Sequence, residues 1–258
     1  MKIKWTTPAG SVYTLFQDAI KKPHILIAGA TGSGKSVLIN GLISTMLYSC
    51  PGDAGLILID PKRVELAQYA KLPHTIAHAA GHNPQAWATA FQRAVSIMDR
   101  RYTAMEKQRV KEYSGGHIYV IVDEWASIIK SDLRGRPCYK SVLRLLSEGR
   151  AARVHVILAT QVPKANIIPT EIRENFNTRF CLFTNTAQES RVLMDCNGCE
   201  LLPDPRTEGK ALAYYVNPGK NNRKLVTIPY VQQKELDRIC AAWENQHRHF
   251  PKWLYQDI

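Results

Sequence analysis

The chain has no run of about eighteen apolar residues, so no stretch is read as a membrane-spanning helix. Its opening, Met1-Lys2-Ile3-Lys4-Trp5, lacks the long apolar core of a secretory signal. The expected location is the cytoplasm, as a whole protein or as the cytoplasmic part of a longer one. No internal repeat or low-complexity tract occurs, which argues against a solenoid or a disordered tail. Acidic residues are scarce, 22 against 34 lysines and arginines, leaving a formal charge of +12. That field suits a polyanionic partner, nucleic acid first and an acidic membrane surface second. Cysteine is sparse at six residues. Cys50, Cys181 and Cys240 lie in apolar surroundings and read as buried thiols rather than disulfides. Cys196-Asn197-Gly198-Cys199 has CxxC spacing but no matching second pair, so it reads as a helix end capped by Gly198 and not as a zinc site.

What is present is apolar segments in plenty: 45% of 258 residues are hydrophobic, enough for a sizeable core. They are organised around residues 24–36. An apolar run, His24-Ile25-Leu26-Ile27-Ala28, breaks into Gly29-Ala30-Thr31-Gly32-Ser33-Gly34 and then Lys35-Ser36-Val37 opens a helix-spaced segment. This is G-x-x-x-x-G-K-[ST] between a strand and a helix, the context a phosphate-binding loop requires. Its glycines permit positive φ and close backbone approach, so successive N–H groups can turn onto a phosphate, and the helix adds its positive end. Lys35 can reach the β- and γ-phosphates, and the Ser36 hydroxyl can ligate Mg²⁺. Residues 29–37 are the expected nucleotide-binding set, with ATP and Mg²⁺ as cofactors.

In chain order, residues 1–22 are a lead-in and 23–258 the main domain. Val12–Phe16 is a candidate edge strand. Strands are expected at 24–29, 55–60, 74–80, 117–124, 154–161 and 178–184, and helices at 35–49, 84–109, 137–151, 187–196 and 232–245. Alternation of strand and helix implies a mainly parallel sheet flanked by helices, an α/β fold. Residues 210–216 and 224–230 flank Asn217-Pro218-Gly219 and suggest a hairpin near the C-terminus. In the long helix after Asn83-Pro84, the residues Trp87, Phe91, Val95, Met98, Tyr102 and Met105 form one apolar stripe. Arg93, Arg100, Arg101 and Lys107 are expected mostly on the solvated side.

The strand at 117–124 ends in Asp123-Glu124. After a phosphate loop, such a pair reads as a carboxylate for Mg²⁺ (Asp123) and a base that orients and deprotonates the attacking water (Glu124). Gln161, at the end of a later strand, can meet the γ-phosphate or that water. Residues 131–136 form a basic loop carrying Arg134 and Arg136.

These motifs resemble the FtsK/SpoIIIE family of DNA-translocating motors. The register runs from Gly29–Ser36 through Ile59-Asp60-Pro61-Lys62, Glu65-Leu66 and Pro73-His74. It continues through Met98-Asp99-Arg100-Arg101-Tyr102, Val122-Asp123-Glu124, Arg150-Ala151-Ala152 with His155, and Leu158-Ala159-Thr160-Gln161. Asn175, Thr178-Arg179, Ser190-Arg191, Leu193 and Asp195 follow. The resemblance implies a RecA-like ATPase core in a hexameric ring that moves double-stranded DNA through its pore. It implies that Arg150 enters a neighbouring subunit's site. The family's Arg-Pro after Ala-Thr-Gln is Val162-Pro163 here, so Lys164 and Arg173, with Arg134 and Arg136, are the DNA-contact candidates. A family glycine is replaced by Arg153. Within these 258 residues no counterpart is expected for the family's membrane anchor, most of its first motor subdomain or its winged-helix module. The expectation is a segment of a longer protein or a compact relative from a plasmid, phage or conjugative element. A membrane-associated partner stays open. The alternative is a ring ATPase of the same family that drives protein secretion or macromolecular assembly.

Overall fold

A computed structural model describes residues 16, 19–22, 24–49, 52–217 and 222–244. The chain forms two compact units, Met1–Ser49 with Ala159–Asp237 and Cys50–Leu158 with Arg238–Ile258.

The first unit is built on β1 (Ile25–Ala28), which runs into the glycine-rich turn and then α1 (Lys35–Ser49). The four residues of β1 are all buried, as expected of a strand covered on both faces. β1 pairs in parallel with Thr178–Leu182, a second fully buried strand. That strand pairs antiparallel with Leu212–Asn217, which pairs antiparallel with Asn222–Thr227. The expected hairpin is therefore present; its turn, 218–221, lies outside the described residues. Short helices at Thr170–Arg173, Ala187–Met194 and Pro205–Glu208 complete this unit.

The second unit holds β2 (Ala54–Asp60), β3 (Thr75–Ala80), β4 (His117–Val122) and β5 (Val154–Thr160). They lie side by side as β3-β2-β4-β5, all parallel. β2 and β5 are buried at all seven positions. Continuous Leu-Ile-Val runs, rather than alternation, are what a parallel strand covered on both faces needs. The helices are α2 (Pro84–Gln108), α3 (Trp125–Lys130) and α4 (Pro137–Glu148). Asn83 caps α2 by accepting from the Ala86 N–H, with proline in the first turn. Trp87, Phe91, Val95, Met98 and Met105 are buried along it, as the spacing predicted. The last two residues of β5, Ala159 and Thr160, belong to the first unit, where the Gly29 N–H donates to the Thr160 carbonyl (3.4 Å). The closing helix, Gln233–Glu244, is present.

Four expectations change. Phe16 is helical and fully buried, not in a strand; residues 12–15 lie outside the described residues. The helix expected to reach 151 stops at Glu148, because residues 149–153 turn to feed β5. The helix before Cys196 ends on Asp195 in the left-handed region (φ 61°), and Gly198 instead opens the next short turn. Arg101 is 1% exposed. It donates to the Ala152 carbonyl (2.8 Å) and stacks over the Tyr113 ring, 4.4 Å from its centroid. Those contacts satisfy a cation that its charge alone would have left in water. Cys138, Cys181, Cys199 and Cys240 are buried and form no disulfide among the described residues; Cys50 lies outside them.

Candidate nucleotide-binding and hydrolysis residues

In the first unit the phosphate loop takes its shape from local chemistry. Gly32 and Gly34 have φ of 77° and 98°, conformations that side chains resist. At Gly34 a Cβ would also lie 2.6 Å from the Ala211 Cβ. Gly29 is needed for a different reason: a Cβ there would meet the Leu182 Cβ at 2.8 Å. Lys35 is 6% exposed, and its ammonium donates to the carbonyls of Gly29 and Ala30, both at 2.8 Å. The loop thus holds its own cation by carbonyls that a phosphate would outcompete. The Ser33 hydroxyl is buried and has no hydrogen-bond partner among the described residues. A buried orphan donor beside a parked lysine is the pattern expected of a loop shaped for a phosphate group. Those two observations fit ATP. Ser36, half-buried at the first turn of α1, is an oxygen donor suited to its Mg²⁺.

Gln161 stands just after β5, and its Oε1 accepts from the Thr31 hydroxyl (2.9 Å). The structure therefore brings Gln161 to the phosphate loop within this unit. One residue was missed by sequence reasoning: Arg206 lies over Gly32, with its Cδ 2.9 Å from where a Cβ would stand, and its Nε donates to Asp204 (2.9 Å). No local motif signals it, because the contact joins positions 174 apart.

In the second unit three carboxylates gather at strand ends. Asp60, fully buried at the end of β2, accepts from the backbone N–H groups of Lys62 (3.1 Å), Glu65 (3.1 Å) and Leu66 (3.0 Å). It thereby clamps the loop after β2. Asp123 is 6% exposed at the end of β4, and its N–H donates to the Ile59 carbonyl (3.1 Å). Burial, followed by the charges of Asp60 and Glu65, pushes its carboxyl up to about 7 against an opposing pull from Lys62. A carboxylate so uncomfortable alone is one that a divalent cation would relieve. Glu124, 3% exposed, caps α3: its Oε1 accepts from the Ala126 N–H (3.3 Å). Its Oε2 pairs with the Lys62 ammonium at 3.3 Å. Lys62 belongs to the Ile59-Asp60-Pro61-Lys62 segment, whose motif drew attention without showing this job.

The remaining candidates lie on surfaces. Arg150 is exposed in the turn after α4, Lys164 is exposed after Pro163, and Arg134 and Arg136 are exposed before α4, with Arg136 over the Tyr139 ring. The Arg173 side chain is only 17% exposed, donates to the Val192 carbonyl (2.9 Å) and faces Asp195. Cys196 accepts from the Arg223 guanidinium (2.8 Å), while Cys199 lies 3.6 Å from the Met194 sulfur. Among the described residues no helix is long and apolar enough to cross a membrane.

Residues 8–129 match the FtsK/SpoIIIE family. A DNA translocase FtsK of Treponema pallidum is 33% identical over 260 residues, covering 93% of this chain and 31% of the relative. One from Pseudomonas syringae pv. tomato is 32% identical over 263 residues, covering 88% and 32%. The chain thus spans about a third of the length of these curated relatives. Among solved structures, the pCW3 conjugation coupling protein TcpA with ATPγS superposes with a TM-score of 0.72 at 21% identity, over 87% of this chain and 66% of that one. EssC (ATPases 2 and 3) of Geobacillus thermodenitrificans gives 0.74 at 16%, over 90% and 46%. These likenesses show a P-loop ATPase fold. With about a third of positions shared along nearly its whole length, this chain belongs to the FtsK/SpoIIIE family.

Proposed function

We propose that residues 23–258 form an ATP-hydrolysing motor domain that moves double-stranded DNA as part of an oligomeric, hexameric ring on the cytoplasmic side. The observation that carries the nucleotide half is the phosphate loop, with Lys35 parked on two loop carbonyls and the Ser33 hydroxyl buried without a partner among the described residues. In this reading the amides of 29–37 bind the triphosphate and Lys35 neutralises its outer phosphates. Ser36 and Asp123 hold Mg²⁺, which supplies charge neutralisation at the transferring group. Glu124 takes the proton of the attacking water, Gln161 orients it, and Arg150 serves a neighbouring subunit's site.

The DNA half rests on the +12 charge and on relatives named DNA translocase that match nearly the whole chain. Lys164, Arg134 and Arg136 are the exposed candidates for phosphate contact, with Arg173 a weaker one because it is already engaged. Binding to phosphates carries no sequence information and falls steeply with salt. The test is ATP turnover with and without long duplex DNA, with a sizing run in nucleotide. DNA should raise turnover, higher salt should abolish the rise, and Glu124→Gln should bind ATP yet lose turnover by at least about a hundredfold. Turnover indifferent to DNA at all salt concentrations would sink the DNA reading and favour a protein cargo.

A further inference from the structure

The CxxC segment has no part in the ATPase reading, yet the first unit builds a cluster of thiols around it. The buried Ser190 hydroxyl holds the backbone of both cysteines: it donates to the Cys196 carbonyl (3.1 Å) and accepts from the Cys199 N–H (3.0 Å). Cys196 is half-buried, with the Arg223 guanidinium on its sulfur. Cys199 is fully buried, its sulfur against that of Met194. A third thiol, that of Cys181, hydrogen-bonds to the Cys199 sulfur. That bond, opposed by burial and aided by the Ser190 hydroxyl, holds the Cys199 thiol below its ordinary value. Among the described residues no group of three or more histidines, cysteines or carboxylates is placed to hold a metal ion, so the cluster points to thiol redox chemistry.

The same turn is tied to the phosphate loop. The Cys199 carbonyl accepts from the Thr184 N–H (3.4 Å), and the carbonyl of the preceding residue, Phe183, accepts from the Ala30 N–H (2.7 Å). Leu182, one residue earlier, is the side chain that a Cβ on Gly29 would meet. Three consecutive residues therefore connect position 199 to positions 29 and 30. A shift of the backbone at the CxxC turn reaches the phosphate loop through them.

We propose that Cys196 and Cys199 are a redox-sensing pair that closes to a disulfide on reaction with a peroxide and thereby loosens the grip of the phosphate loop on nucleotide. The second half rests on the ATPase reading above. Cys196, the more accessible of the two, attacks a peroxide oxygen as its thiolate. The O–O bond breaks and leaves a sulfenic acid and, from hydrogen peroxide, a hydroxide. The Cys199 thiolate then attacks the Cys196 sulfur; the S–S bond forms and the S–O bond breaks, releasing a second hydroxide. The two thiol protons end on these hydroxides. Two thiols thus lose two electrons in all, and one hydrogen peroxide becomes two waters. Closure draws the Cys199 sulfur from Cys181 towards Cys196 and turns its carbonyl against Thr184.

The experiment treats the reduced full chain with stoichiometric hydrogen peroxide, maps its disulfides by mass spectrometry of unreduced peptides, and titrates ATPγS before and after. Mapping should find Cys196 joined to Cys199 with the loss of two hydrogens. No disulfide, or one that joins either cysteine to Cys181, to another thiol or to a second chain, overturns the pair. The oxidised protein should bind ATPγS about five- to tenfold more weakly, a coupling of ordinary size between two sites, and dithiothreitol should restore the affinity. Cys196→Ser and Cys199→Ser should each bind like reduced wild type and keep that affinity in peroxide. A closed disulfide with unchanged affinity overturns the link to the phosphate loop, and so does an equal loss of affinity in the serine variants. Reduced wild type that binds no ATPγS overturns the ATPase reading and the link with it, whereas the mapping still decides the disulfide.

Discussion

Replacing Asp123 by asparagine should stabilise the metal-free protein, and by more at pH 8 than at pH 5. The carboxyl of Asp123 is pushed from 3.8 to about 7, by burial first and then by Asp60 and Glu65. Its folded-state pKa therefore exceeds its unfolded value. Between pH 4 and pH 7 the folded chain keeps a proton that the unfolded chain has released, so stability falls as pH rises through that window and levels off above it. Each pKa unit is worth about 1.4 kcal/mol, which puts the full penalty for the ionised, metal-free state at up to about 4 kcal/mol. Between pH 5 and pH 8 it grows by about 2–3 kcal/mol. Asparagine is uncharged throughout, so its advantage over aspartate should widen by about 5–10 °C in melting temperature across that interval. Comparing the two pH values cancels any packing or hydrogen-bonding difference that asparagine brings. The assay is thermal unfolding of both proteins in chelator at the two pH values, then at pH 8 with Mg²⁺ and a non-hydrolysable nucleotide. Metal and nucleotide together should raise the wild-type melting temperature by more than the variant's, which keeps the binding supplied by residues 29–37 but loses the relief of the ionised carboxylate. A gap between variant and wild type that stays flat from pH 5 to pH 8 would refute the account of this carboxylate.

Two further substitutions test the scaffold. Gly34→Ala places a side chain at φ 98° and 2.6 Å from the Ala211 Cβ, so it should cost about 2–4 kcal/mol and weaken nucleotide binding, read by calorimetric unfolding and nucleotide titration. Arg101→Leu removes the donor to the Ala152 carbonyl and the cation over Tyr113; it should cost about 2–4 kcal/mol in denaturant unfolding, whereas the same change at exposed Arg100 should cost under about 0.5 kcal/mol.

Arg101 also shows where a sequence reading loses its grip. It falls three residues after Met98 and four before Met105, so helical spacing places it on the buried stripe. Its charge argued for water, and spacing was overruled. The structure resolves the conflict with two carbonyls and an aromatic ring from segments beyond position 110. No periodicity within one helix can announce partners supplied by a distant turn.

The strand, the glycine turn and Lys35 were fixed by local chemistry: residues 24–36 dictate which torsions are open and where a cation and a hydroxyl must fall. Asp123 and Glu124 were likewise legible, because a buried apolar run that stops at two carboxylates can only be a strand end. Tertiary structure alone decided what these groups touch before any ligand arrives. Gln161 meets Thr31 across 130 positions, and Lys62 meets Glu124 across 62. Short-range sterics write the backbone of a loop into its own sequence, but an ion pair or hydrogen bond between remote segments exists only once packing has brought them within about 3 Å.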